Sequence, residues 1–219
     1  MMKKKIGSLL IVCCTLLLTA TAGYVTGLKN NQKDLPKYES TALYPAFSLP
    51  ELTDESTFIV EAEVVEVGDT IMREIPVSLT ENHEDATETL SYPVTPITLA
   101  IHSSIKGDNI GNEFIYYEEG GITSTYIQLP DGYAMEDGLE VILFLNSNGY
   151  CWGAQSIFPV VGENVILNNM AIEYVGEDNV SVLETQTLNS NIRSQIDAQN
   201  INVMPTDDFI SAIQSIVEK

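Results

Sequence analysis

Cysteine is scarce in this sequence of 219 residues. Two of its three cysteines, Cys13 and Cys14, lie in an apolar N-terminal segment. If that segment is removed, Cys151 stands alone and the mature chain cannot form an internal disulfide. Its stability must then come from a hydrophobic core, and a chain of this length can bury one.

Basic residues are also scarce. Ten Lys and Arg stand against 31 Asp and Glu, which gives a formal net charge of −21. Such a chain repels nucleic-acid phosphates and anionic lipid headgroups, and no basic stripe offsets the repulsion. We therefore expect no nucleic-acid partner and read the acidity as suited to a soluble exported protein.

The N-terminus has the pattern of a signal peptide. Three lysines at 3–5 precede an apolar run over 6–18, and Ala20 and Ala22 form the small-residue pattern that signal peptidase accepts. We expect cleavage after Ala22 and an extracellular location, either secreted or attached to the cell surface. The alternative is an uncleaved anchor, which would be the chain's route to a membrane, although the run is slightly short for a span of about 20 residues.

Four segments follow from composition and periodicity: a signal peptide over 1–22, a linker over 23–50, a β-barrel domain over 51–180 and a C-terminal helical segment over 181–219. The linker has several prolines and no sustained periodicity. We expect Tyr44, Phe47 and Leu49 at its end to dock on the domain.

The domain is predicted to be mostly β. Residues 58–67 alternate apolar and polar side chains, 70–77 would pair with them, and 78–93 are predicted to form a mobile loop. The unbroken apolar run 141–145 predicts a strand covered on both faces. Together with a hairpin tip at Asn168-Asn169, these strands indicate a small antiparallel OB-like barrel or sandwich.

Helices are predicted after residue 181. A stripe of Leu188, Ile192 and Ile196 indicates one, and a second follows Pro205 with Thr206 as its N-cap. This C-terminal helix is expected to pack on the sheet. The residues predicted for the core are Val60, Val64, Leu99, Ile101, Phe144, Phe158, Phe209, Ile213 and Ile216.

No catalytic signature is recognisable. The chain lacks a G-x-S-x-G elbow, and its two histidines are His83 and His102. A Cys151–His102 pair stays open, although Cys151 has no local signature of a nucleophile. We assign no catalytic residue and no cofactor-binding residue, since 31 acids make a carboxylate pair uninformative.

Weak Ca²⁺ binding also stays open, and no metal ligands can be assigned. One candidate cluster gathers Glu81, His83, Glu84, Asp85 and Glu88, and a second gathers Asp131, Glu136 and Asp137 around glycines. Neither matches a calcium-loop motif.

The pair Glu118-Glu119, followed by Gly120-Gly121, is read as a strand meeting a turn. Two carboxylates would repel a phosphate, and glycine takes positive φ without steric cost. The nearby aromatic residues are expected to fill the core or to stack saccharides or peptides. They are Tyr116, Tyr117, Tyr126, Tyr133, Tyr150 and Trp152.

Five short segments resemble small exported proteins, mostly of Gram-positive bacteria, that have no assigned function. They are "FIVEAEVVEVGD", "IKGD", a strand that ends in "GG", the strand ending "LFL", and "FPV". The resemblance covers roughly 52–175, and it implies a compact extracellular β-barrel. It carries over no catalytic or binding residue. Ser103-Ser104 and the length of the 78–93 loop depart from the pattern.

The leading hypothesis is a non-enzymatic exported binding or interaction module with a protein or cell-wall saccharide partner. The alternative is an extracellular hydrolase or Ca²⁺-dependent enzyme that uses scattered carboxylates. An enzyme would need a concave pocket with convergent carboxylates, at least one with a raised pKa.

Overall fold

A computed structural model describes residues 35–39, 44–77, 88–108, 110–188, 190–196 and 199–219. The predicted signal peptide lies outside these residues. The strands are β1 (Lys37–Glu39), β2 (Phe58–Val67), β3 (Ile71–Val77), β4 (Glu88–Lys106), β5 (Glu113–Glu119), β6 (Gly121–Ile122), β7 (Ile127–Leu129), β8 (Glu140–Leu145), β9 (Ile157–Val161), β10 (Asn164–Ile166), β11 (Ser181–Glu184) and β12 (Asn200–Pro205). The helices are α1 (Leu49–Glu55), α2 (Asn169–Val175), α3 (Ser190–Ser194) and α4 (Thr206–Val217), with short 3-10 turns at 153–156, 177–179 and 185–187.

The mostly β, antiparallel architecture is confirmed. Nine strands form one sheet in the order β11-β12-β10-β9-β8-β2-β4-β3, and β5 pairs with the other edge of β4. Within the described residues this sheet does not close, because β11 and β3 end the order without pairing. The predicted barrel is therefore corrected to an open sheet. A smaller sheet holds β1, β7 and β6.

The long strand β4 organises the sheet. Its C-terminal half pairs with β2, while its N-terminal half pairs with β3, and the change of partner falls at Gly68–Thr70. Residues 88–93 were predicted to belong to the mobile loop, but they continue the strand because β3 supplies a ladder of partners. The rest of the predicted loop, 78–87, lies outside the described residues.

Two hydrophobic clusters cover the two faces of the sheet, and the run 141–145 contributes to both. Val141, Leu143 and Leu145 point into one cluster, while Ile142 and Phe144 point into the other. All five side chains are fully buried. The prediction that this strand is covered on both faces is confirmed.

Helix α4 covers one face of the sheet, as predicted. Phe209 packs on Phe158 with ring centroids 5.0 Å apart, and Ile213 is fully buried. Thr206 is not the N-cap, because Pro205 occupies that position and the Thr206 side chain is buried. The predicted core residues are all buried except Ile101, which is partly exposed.

Residues 168–205 differ from the prediction. Asn168 is not a hairpin tip: its side chain accepts a hydrogen bond from Ala171 N–H and so caps α2. The stripe of 188–196 yields the short helix α3 alone. The segment 181–219 is not all helical, because β12 extends the sheet by pairing with β10, and β11 pairs with β12.

We expect Ile213→Asp to lower the free energy of unfolding by about 3–5 kcal/mol, because it buries an unpaired carboxylate against the sheet. Gln214→Asp is the matched control, since Gln214 is exposed on the same turn. Chemical denaturation of the two variants measures the difference. Equal stabilities would contradict the docked position of α4.

Candidate functional site

Cys151 does not form a nucleophile–base pair with His102. Cys151 is partly buried, its thiol lies 3.2 Å from the Tyr116 hydroxyl, and this burial raises the pKa of the thiol. His102 is instead half-exposed on β4, with Nε2 3.9 Å from a Glu63 carboxylate oxygen. The structure therefore separates the two residues that the sequence left as a candidate pair.

The acidic residues predicted as a cluster at 131–137 contact different parts of the chain. Asp137 accepts a hydrogen bond from Val67 N–H at 3.1 Å, and Asp131 lies beside Ala154 N at 3.4 Å. Across the described ranges, no three His, Cys, Asp or Glu side chains are grouped as metal ligands. The 81–88 cluster lies outside the described side chains.

Gly120-Gly121 forms the turn predicted at the end of β5. Both residues have positive φ, 117° and 141°, and a Cβ on Gly121 would lie 2.6 Å from the Thr70 methyl group. After the turn, β6 and β7 form a small antiparallel hairpin.

Glu118 and Glu119 have opposite surroundings because consecutive strand residues face opposite sides. Glu118 shares the buried side of β5 with Tyr116 and is 6% exposed. Its carboxylate accepts a hydrogen bond from Met135 N–H at 2.8 Å. Burial raises the pKa of Glu118 to about 7, and the bond from Met135 offsets part of this effect. Sequence reasoning missed this group, although its even spacing from Phe114 and Tyr116 was a signal.

A strap, defined as residues 35–39 and 44–48, crosses the body next to Glu119. Tyr44 lies beside Glu119, and burial together with this carboxylate raises the pKa of Tyr44. Phe47 packs edge-on against Trp152, with ring centroids 5.4 Å apart. The predicted docking of Tyr44, Phe47 and Leu49 is confirmed.

The strap cleft is the surface that receives residues 44–48; it is formed by Glu119, Asp131, Cys151, Trp152, Gly153 and Gln155. The cavity left beside Tyr44 has a volume of ≈ 10 Å³, enough for about one water. Gly153 is required here, since a Cβ would lie 2.7 Å from the Tyr44 ring. The strap thus fills most of the cleft.

A second surface, the arm, consists of β3 and residues 88–94 of β4. Cross-strand register places Arg73 opposite Tyr92 and Ile75 opposite Leu90, so these four side chains share one face. The Arg73 guanidinium lies 4.2 Å from the Tyr117 ring centroid and hydrogen-bonds to the Tyr150 hydroxyl. Three apolar side chains on this face are exposed: Ile71 by 44%, Ile75 by 40% and Leu90 by 52%.

The predicted aromatic set divides between core and surface. Tyr116 is buried, Tyr133 packs against the same core, and Tyr126 meets Tyr38 of the strap. Tyr117 and Tyr150 stack on each other, with ring centroids 5.6 Å apart, under Arg73.

Comparison with protein-family profiles, with curated proteins and with solved structures found no match to this chain. Among the helices that the structure describes, none has both the length and the apolar character needed to cross a membrane.

We expect the stability of the protein to fall as pH rises from about 4.5 to 7. In that window the unfolded state has lost the Glu118 proton, whereas the folded state with its raised pKa still holds it. A pKa shift of this size corresponds to about 3 kcal/mol of folding stability. This contribution is complete below about pH 4.5 and has been lost once the pH exceeds 7. Glu118→Gln keeps an acceptor for Met135 N–H without the charge, so it should remove this part of the pH dependence.

The measurement is urea denaturation at pH 5 and pH 8, with Glu113→Gln as the control at an exposed position of the same strand. Glu118→Gln should exceed the wild type in stability at pH 8 and not at pH 5. An equal gain at both pH values would mean that the effect is not the ionisation of Glu118.

Proposed function

We propose that the chain is a non-enzymatic interaction module, exported and located in the extracellular space or at the bacterial cell surface. The observation that carries the proposal is the arm face, where exposed Ile71, Ile75 and Leu90 surround Arg73 on its tyrosine stack. Exposed apolar patches mark interaction sites, and Arg and Tyr are enriched among the residues that dominate binding energy.

A protein partner fits this face better than a cell-wall saccharide. A sugar would stack on free aromatic faces, but Arg73 already covers the rings of Tyr117 and Tyr150. The chain's net charge of −21 steers association toward basic surfaces. We therefore infer a partner with an apolar contact surface bordered by Lys or Arg.

The structure of the strap cleft also supports binding rather than catalysis. Glu119 and Asp131 converge there with the Cys151 thiol, but they converge on Tyr44 of the same chain. Glu118, whose pKa is raised, does not line this cleft and is held by Met135 N–H in the core. The alternative of a hydrolase or Ca²⁺-dependent enzyme would need the cleft to be emptied first.

Leu90→Glu tests the arm as the contact surface. It places a carboxylate in an apolar face, where contact with the partner's apolar surface would desolvate it. We therefore expect at least tenfold weaker capture of a partner from the envelope fraction of the organism that encodes the chain. Thr89→Glu is the matched control, because Thr89 is exposed at the neighbouring position on the opposite face. Quantitative pull-down with immobilised chain measures both. Equal losses for the two variants, or no loss for Leu90→Glu, would contradict the proposal.

A further inference from the structure

The strap is held by its main chain as well as by its side chains. The side-chain amide of Gln155 donates from Nε2 to the Pro45 carbonyl at 2.8 Å and accepts from Phe47 N–H at Oε1 at 3.1 Å. One amide thus satisfies an acceptor and a donor two residues apart on an extended segment. Main-chain bonds of this kind give affinity for a peptide regardless of its sequence.

Sequence preference comes from two side-chain subsites in the strap cleft. The first receives Tyr44, which lies beside Glu119 and whose ring packs against Gly153. The second receives Phe47, packed edge-on against Trp152 at an interplanar angle of 80°. The cleft therefore selects a tyrosine and, three residues later, a second aromatic residue.

The upstream part of the strap is bound by strand addition. Strand β1 pairs in parallel with β7, and Ile127 N–H donates to the Pro36 carbonyl at 2.9 Å. Tyr38 meets Tyr126 edge-on, with centroids 5.8 Å apart. A peptide that adds to a sheet edge and places alternate side chains in pockets is a recurring mode of recognition.

The strap is held in place by fewer contacts than the residues of the core. All three residues of β1 are exposed, as are Pro45, Ala46 and Ser48. Segments with an exposed main chain and few buried contacts open at a free energy well below that of global unfolding. The strap can therefore leave the body while the two core clusters stay intact.

We propose that the strap cleft is a binding site for an extended peptide of another protein, with a tyrosine followed three residues later by an aromatic residue, and that the strap occupies it as an internal competitor. The inference rests on the proposed interaction function and names its partner class. A second copy of this chain is disfavoured as donor, because Leu49 is fully buried and the last strap residue, Ser48, caps α1 together with Glu51. A released strap therefore stays tethered beside its own cleft, at a higher effective concentration than the strap of a second copy.

The test uses a labelled peptide of residues 35–48, LPKYESTALYPAFS, and the chain with Tyr44→Ala and Phe47→Ala. This variant empties both subsites and leaves the cleft itself unchanged. Fluorescence anisotropy should show at least tenfold tighter peptide binding to the variant than to the wild type, in which the tethered strap competes at high effective concentration. A peptide carrying the same two alanines should not bind.

Gln155→Ala is the control on the cleft side. Added to the chain that carries Tyr44→Ala and Phe47→Ala (the strap variant), it should weaken peptide binding at least tenfold. A folded strap variant that binds no peptide would overturn the proposal, and so would binding that is unaffected by Gln155→Ala. A concentration-dependent dimer of the wild type that disappears with Phe47→Ala would overturn it too, by assigning the cleft to a second copy.

Hydrogen exchange on the wild type decides the question if the strap variant does not fold. The N–H groups of Phe47 and Ile127, which bond within the strap contacts, should exchange faster than that of Val64 in the core. Exchange of all three at one rate, set by global unfolding, would show that the strap is never released. If the strap is never released but Leu90→Glu still weakens capture of the partner, the peptide site is wrong and the proposed interaction function stands.

Discussion

The pairing of β4 with two successive partners is the constraint on which the rest of the structure depends. At nineteen residues, β4 is about twice the length of most long strands. Its prolines at 93 and 96 lie near the change of partner, where their carbonyls bond to Gly120 N–H and Gly68 N–H. The C-terminal half is thereby fixed in the core, while the N-terminal half carries the arm outward. The exposed face of the arm is consequently held in place through β4, whose C-terminal half pairs with β2.

Strand alternation explains how adjacent residues acquire different chemistry at the candidate site. On β5, Tyr116 and Glu118 face the core, and Tyr117 and Glu119 face the outside of the same strand. The inward carboxyl is desolvated and its pKa rises, whereas the outward one lies beside Tyr44 in the strap cleft. A one-residue slip of β5 on β4 would exchange these roles. The register of β5 therefore sets both the pH response of the core and the chemistry of the cleft.

Local patterns were predictable and long-range pairings were not. The alternation of β2 and the apolar run of β8 are visible in sequence, because in each strand the order of apolar and polar residues follows which side chains are buried. By contrast, β12 is recognisable as a strand only through its partners β10 and β11, which lie far from it along the chain. Asn168 was misread because asparagine suits both a tight turn and a helix N-cap. Of the site, the docking of Tyr44 and Phe47 was predictable from aromatic residues in a polar segment; the clamp by Gln155 was not, since nothing local distinguishes that glutamine.

The strap shows why lack of periodicity does not exclude order. Fixing a residue costs about 1–2 kcal/mol of backbone entropy, and the strap has no regular ladder of its own beyond the short β1. The Gln155 amide, the two aromatic subsites and the edge of β7 supply the compensation, while α1 already anchors the C-terminal end. Because the compensating contacts belong to the body and not to the strap, they are available to any extended chain with the same spacing. A segment ordered in this way is a ligand of its own domain, and the affinity of the cleft for it sets the threshold that an outside peptide must exceed.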